Sequence, residues 1–100
     1  LIIQGEVGEE VWSAKEGEVT SIKTDAETGT TVTIKLGDGY EAVYGQLKDV
    51  AVKEGQRVEE GELIGYLADP TKYYSVEGAN LYFELLKDGK PVNPLEFLDV

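Results

Sequence analysis

Residues 78–85 read Gly78-Ala79-Asn80-Leu81-Tyr82-Phe83-Glu84-Leu85. A glycine opens the run, and the side chains then alternate. Leu81, Phe83 and Leu85 fall on one face, and Asn80, Tyr82 and Glu84 on the other. A period of two is that of a strand with one buried face. The pattern predicts that Leu81, Phe83 and Leu85 look into a core, while Asn80 and Tyr82 look the opposite way.

The same reading extends in both directions. Downstream, Asp88-Gly89 separates this run from Lys90–Val92, and Asp-Gly between two extended segments signals a tight hairpin. Upstream, Asp38-Gly39 repeats the signal after Thr30–Leu36, where Val32, Ile34 and Leu36 share one face. Strands are expected near Leu1–Gln4, Glu10–Ala14, Glu18–Thr24, Thr30–Leu36, Glu41–Gln46, Glu62–Leu67, Asn80–Lys87 and Lys90–Val92. Helical periodicity is nearly absent. Many short strands with regular turn signals predict an all-β fold, a barrel or sandwich, with no substantial helix. Trp12 is expected in the core, since Val11 and Trp12 enter a strand.

The 100 residues suit one domain, here spanning 1–100, and 41% hydrophobic residues suffice for one small core. The chain has no cysteine, which excludes disulfides and thiolate chemistry, and no histidine, which removes the commonest general base and zinc ligand together. Its net charge of −11 opposes binding to nucleic acid or to anionic lipid. No apolar run is long enough to cross a membrane. The chain opens on Leu1-Ile2-Ile3, as if in mid-strand. It therefore reads as a fragment of a longer protein, with any membrane anchor upstream.

An internal echo is present. Gly8-Glu9-Glu10-Val11 precedes Lys15-Glu16-Gly17-Glu18-Val19, and Gly55-Gln56-Arg57-Val58 precedes Glu59-Glu60-Gly61-Glu62-Leu63. This fits two similar β-hairpin motifs.

Taken together, four segments resemble the lysostaphin/LytM-type zinc peptidases, which cleave bacterial cell-wall peptide cross-links. "GEEVWSAKEGEVTSI" resembles the family's opening, and "GTTVTIKLGDGYEAVYGQL" its hairpin ending in tyrosine, one residue, histidine, leucine. "VAVKEGQRVEEGELIGYL" and "GANLYFELLKDGKPVNPLEFL" follow in the family's order. The resemblance implies a duplicated hybrid motif, a barrel-sandwich like that of LytM and the glucose-permease IIA domain.

The resemblance also implies where chemistry is missing. Active members carry His-x-His on the closing strand, where this chain has Asn80 and Tyr82. Gln46 replaces the histidine of the Tyr-x-His element. The aspartate ligand of the first strand falls at Ile2, which has no lone pair. Zinc catalysis takes about three protein ligands and an open water position. No cofactor or metal is expected, and no enzymatic activity. Two readings of Gln46, Asn80 and Tyr82 stay open: a retained groove that binds peptide or a partner, or polar side chains filling a vacated site.

Further candidates are weaker. Tyr73, Tyr74 and Tyr82 read as contact surface, with one of them packed under the loop 69–78. Glu59 and Glu60, with Glu54 and Glu62, form an acidic cluster, either a solvated face or a surface that steers a basic partner. "DAETG" lacks calcium-loop spacing. Lys15 stands in no biotinyl or lipoyl motif.

Members that have lost the site imply a binding or scaffolding role outside the cytoplasm. The ending "YSVEGANLYFELLKDGKPVNPLEFLD" resembles the stage II sporulation protein Q type. The resemblance therefore implies a protein partner in an extracytoplasmic complex, in a membrane-anchored envelope protein of a Gram-positive bacterium. The alternatives are a metallopeptidase with a non-standard metal site and a module that binds peptidoglycan peptide.

Overall fold

The computed structural model describes residues 2–74, 76 and 78–94. Strands β1 (Ile2–Gln4), β2 (Glu10–Trp12), β3 (Gly17–Asp25), β4 (Gly29–Gly37) and β5 (Tyr40–Lys48) come first. They are followed by β6 (Arg57–Val58), β7 (Leu63–Leu67), β8 (Asn80–Lys87) and β9 (Lys90–Val92). A 3-10 turn at Lys72–Tyr74 stands between β7 and β8. Every pairing is antiparallel. The all-β expectation therefore holds. The predicted strand start at Leu1, the family-like ending beyond Pro94, and Ser75 in the loop lie outside the described residues.

The main path runs β1-β8-β5-β4-β3-β6, with β9 also on β8, and with β7 joining β2 to β5. Both Asp-Gly signals form two-residue hairpins. Asp38 and Gly39 have φ of 54° and 83°, and Asp88 and Gly89 have 51° and 81°. Positive φ at both central residues matches the right-handed twist of the flanking strands.

The internal echo has a structural meaning. The short strand of each half pairs with the long strand of the other: β2 with β7, and β6 with β3. The backbone bonding repeats as well. The Gly8 N–H donates to the Leu67 carbonyl, and the Leu67 N–H to that of Glu9. Likewise Gly55 N–H donates to Val19 carbonyl, and Val19 N–H to that of Gln56. Each glycine turn thus clamps a buried residue of the opposite half. β6 had no expected strand because two residues carry too little period to read.

The core is built from the predicted faces. Val32, Ile34, Phe83 and Leu85 are buried, and Leu36 and Leu81 pack half-buried against them. Phe83 meets Tyr44 edge to face at 5.2 Å, and the Tyr44 hydroxyl accepts the Ala14 N–H at 3.0 Å. That burial raises the Tyr44 phenol above its ordinary pKa. Trp12 corrects the sequence expectation, since it is 57% exposed while Val11 is buried. In a period-two strand only one of two neighbours can face inward, and Val11 takes that place.

Candidate functional site

The candidate site forms where β5 stops being a regular strand. Up to Tyr44 its side chains alternate, with Ala42 and Tyr44 buried. Beyond Tyr44, four consecutive residues from Tyr44 to Leu47 are buried, and the β4–β5 register shifts between Thr30 and Val32. The extra residue is accommodated at Gln46, whose φ is 63°. A left-handed conformation is uncommon outside glycine, asparagine and aspartate, and at a non-glycine residue it costs of order 1–3 kcal/mol. It turns the Gln46 side chain inward, and the backbone is held by Gln46 N–H to Thr28 carbonyl at 2.6 Å and Ala68 N–H to Gln46 carbonyl at 2.9 Å.

Gln46 is 1% exposed and Asn80, on the neighbouring strand β8, is 0% exposed. The Gln46 Nε2 donates to the Asn80 Oδ1. The Gln46 Oε1 accepts the Thr71 N–H at 3.0 Å, and the Asn80 Nδ2 donates to the Gly78 carbonyl at 2.5 Å. One chain of amides thus ties β5 and β8 to both ends of the 69–78 loop. No buried side-chain nitrogen or oxygen among the described residues lacks a partner. The loop is pinned again where Thr71 Oγ1 donates to the Glu27 carbonyl at 2.6 Å.

Ile2 and Tyr82 face each other across the β1–β8 pair. Both are half-buried. Tyr82 lies over Gly45, where an added Cβ would sit 3.1 Å from the Tyr82 Cβ and 3.2 Å from the Thr28 carbonyl oxygen, so glycine lets β8 close on β5. The Tyr74 ring stands 6.0 Å from that of Tyr82. Burial, and then the charge of Glu84, raise the Tyr82 phenol above its ordinary pKa.

The structure therefore brings Ile2, Gln46, Asn80 and Tyr82 to one place. They do not fit zinc. Ile2 has no donor atom, the oxygens of Gln46 and Asn80 are occupied by N–H groups, and Tyr82 holds its proton. Among the described residues no three His, Cys, Asp or Glu side chains cluster as a metal site. No metal chemistry follows from these positions.

The other candidates lie apart from this cluster. Tyr73 is 56% exposed, with the Lys72 ammonium 5.5 Å from its ring centre. Glu59 and Glu60 are exposed on the turn before β7. In the same acidic cluster, Glu54 accepts the Ile22 N–H and Glu62 the Glu59 N–H, both at 2.9 Å, so these two brace turns. Asp25 likewise caps its own turn, accepting the N–H groups of Glu27 and Thr28. Thr71 was not legible as a site residue, because its partner Gln46 is brought near only by the fold, whereas Gly78 meets Asn80 two residues on, a local contact that composition alone does not mark.

Comparison with known proteins bears on the family and the fold. The profile of Peptidase family M23 matches residues 1–94. The chain is 32% identical over 90 residues to stage II sporulation protein Q of Bacillus subtilis, covering 90% of this chain and 31% of that protein. It is 31% identical over 90 residues to the peptidoglycan DD-endopeptidase ShyA of Vibrio cholerae, covering 90% and 20%. Among solved structures, SpoIIQ in complex with SpoIIIAH superposes with a TM-score of 0.77 at 31% identity, over 88% of this chain and 61% of that one. The chain thus spans a third or less of the length of these curated relatives.

Proposed function

Because the chain belongs to peptidase family M23, we propose that it is a member that does not hydrolyse peptidoglycan and instead binds a protein partner. The setting is an extracytoplasmic bacterial complex of the sporulation, division or cell-envelope kind, with the membrane reached only through an anchor elsewhere in the protein. The observation that carries this reading is the buried Gln46–Asn80 amide pair at two positions matched to active-site histidines of the family. A site filled by satisfied amides offers neither an open coordination position nor a base for water. Similarity to a sporulation protein, and to a solved complex of such a protein with SpoIIIAH, supports the choice of a protein partner. A Gram-positive envelope location rests on the Bacillus relative.

The test is elemental analysis of protein purified without chelator, paired with a muropeptide-release assay. The expected result is no stoichiometric zinc and background hydrolysis. Bound zinc with chelator-sensitive release of muropeptides would overturn the reading in favour of a peptidase with a non-standard metal site. Peptidoglycan remains a candidate ligand through the half-buried Tyr82 and the nearby Tyr74. A stem-peptide titration that shifts their NMR signals, without turnover, would move the assignment to peptidoglycan binding.

A further inference from the structure

Among the described residues the sheet has unpaired edges at β1, β2, β6 and β9, and two of these strands, β1 and β2, follow one another across a single turn. β1 pairs only with β8, and β2 only with β7, among the described residues. The turn at Glu6–Gly8 joins these two edge strands, so they diverge from it as the arms of a fork. Between the arms lies a groove of roughly 210 Å³. That is smaller than the ~300–1,000 Å³ typical of small-molecule pockets. Leu67 and Leu81 line it together with Ile3 and Trp12, which are 44% and 57% exposed. Ile3 pairs with Leu81, and Ile2 with Tyr82, so the groove opens on the opposite face of β1 from the filled site. An exposed tryptophan beside unpaired strand edges is a surface built to be covered.

The charge around the groove chooses its occupant. Glu9 and Glu10 line it directly. Residues 1–14 hold three carboxylates and no basic side chain. The acidic turn of Glu59 and Glu60 stands beside the β2 end of the fork, where Gly61 N–H donates to the Ser13 carbonyl at 2.7 Å.

We propose that this fork is the docking surface for the protein partner, and that the partner enters it as an extended segment alternating apolar and basic side chains. Its backbone pairs with a free edge, its apolar side chains cover Trp12, Ile3 and Leu81, and its basic side chains meet Glu9 and Glu10. The inference rests on the protein-binding reading above and names the surface and the chemistry of its ligand.

Trp12 is the single tryptophan, so intrinsic fluorescence reports on the fork alone. The probe is a capped ten-residue peptide of alternating lysine and valine. The controls are the same peptide with glutamate for lysine, and one N-methylated on alternate residues to block strand pairing. The lysine peptide should shift Trp12 emission to the blue with saturation, and neither control should do so. By anisotropy of labelled peptide, Glu10→Lys should weaken binding about tenfold. Trp12→Ser should abolish binding with an unchanged circular dichroism spectrum.

No shift at millimolar peptide, or an equal shift with either control, overturns the proposal. So does a shift that follows protein concentration without peptide, together with a dimer on sedimentation that becomes monomeric in Trp12→Ser, which would assign the fork to a second copy of this chain. Zinc-dependent hydrolysis alongside fork binding would remove the non-hydrolytic reading and leave the fork standing. Absence of zinc, hydrolysis and fork binding would do the reverse.

Discussion

The side-chain amide of Gln46 donates to the side-chain oxygen of Asn80, joining β5 to β8 where both residues are wholly buried. A buried amide stripped of its partner loses about 1–3 kcal/mol, whereas replacing both partners by apolar groups of similar shape is nearly neutral. Asn80→Leu alone should therefore destabilise by about 1–3 kcal/mol, and Gln46→Met together with Asn80→Leu by much less than the sum of the singles. Urea unfolding of the four proteins of this cycle measures the coupling. Additive costs would show that the two amides act separately.

Phe83 tests the core register. It is 4% exposed and packs edge to face on Tyr44. Truncating a buried phenylalanine costs about 3–5 kcal/mol, a large share of the ~5–15 kcal/mol that stabilises an ordinary domain. Phe83→Ala should unfold at markedly lower denaturant or fail to fold. Tyr82→Ala, on the opposite face and half-buried, should fold. Unchanged unfolding of Phe83→Ala would refute the assignment of faces on β8.

Asp25 gives a prediction in pH. Its carboxylate accepts the backbone N–H of Thr28 and then the Thr28 hydroxyl, which hold its pKa below the ordinary value. A lowered folded pKa means that the stabilisation is fully present above the unfolded value of about 3.9 and is lost as pH falls through the folded value. Asp25→Ala should lower Tm at pH 7. The gap to the parent protein should narrow progressively below about pH 4. A gap that is constant with pH would mean that the turn does not depend on the charged form.

The alternating faces of β4 and β8, and both Asp-Gly hairpins, were legible because each is a local pattern. Strand pairing then amplifies it. The exchange of short strands between halves was visible only as an echo, since which strand a glycine turn clamps is decided by contacts far away in sequence, Gly8 with Leu67 and Gly55 with Val19. The four positions Ile2, Gln46, Asn80 and Tyr82 could be aligned from motifs. Their chemistry could not, because the left-handed backbone at Gln46 has no sequence mark outside glycine. That backbone carries its amide to Asn80 and Thr71. Trp12 reads as core by its hydrophobicity, yet the strand's period already gives the inner position to Val11.

The acidic surface makes a kinetic prediction. Glu59 and Glu60 are exposed, and the whole chain carries a net charge of −11. Charges at the rim of a contact steer the encounter and are screened within about 8 Å at physiological salt. Reversing Glu59 and Glu60 to lysine should therefore slow association with a basic partner segment while leaving dissociation nearly unchanged. Rising salt should slow the parent protein in the same way and flatten the difference between the two. Gln46→Ala should leave association unaltered in protein that remains folded, because the filled site lies on the other face of β1 from the fork. Stopped-flow Trp12 fluorescence with the lysine–valine peptide at two salt concentrations measures all three. Salt-independent association would remove steering from the account. A loss of binding in folded Gln46→Ala would move the docking surface from the fork to the Gln46–Asn80 site.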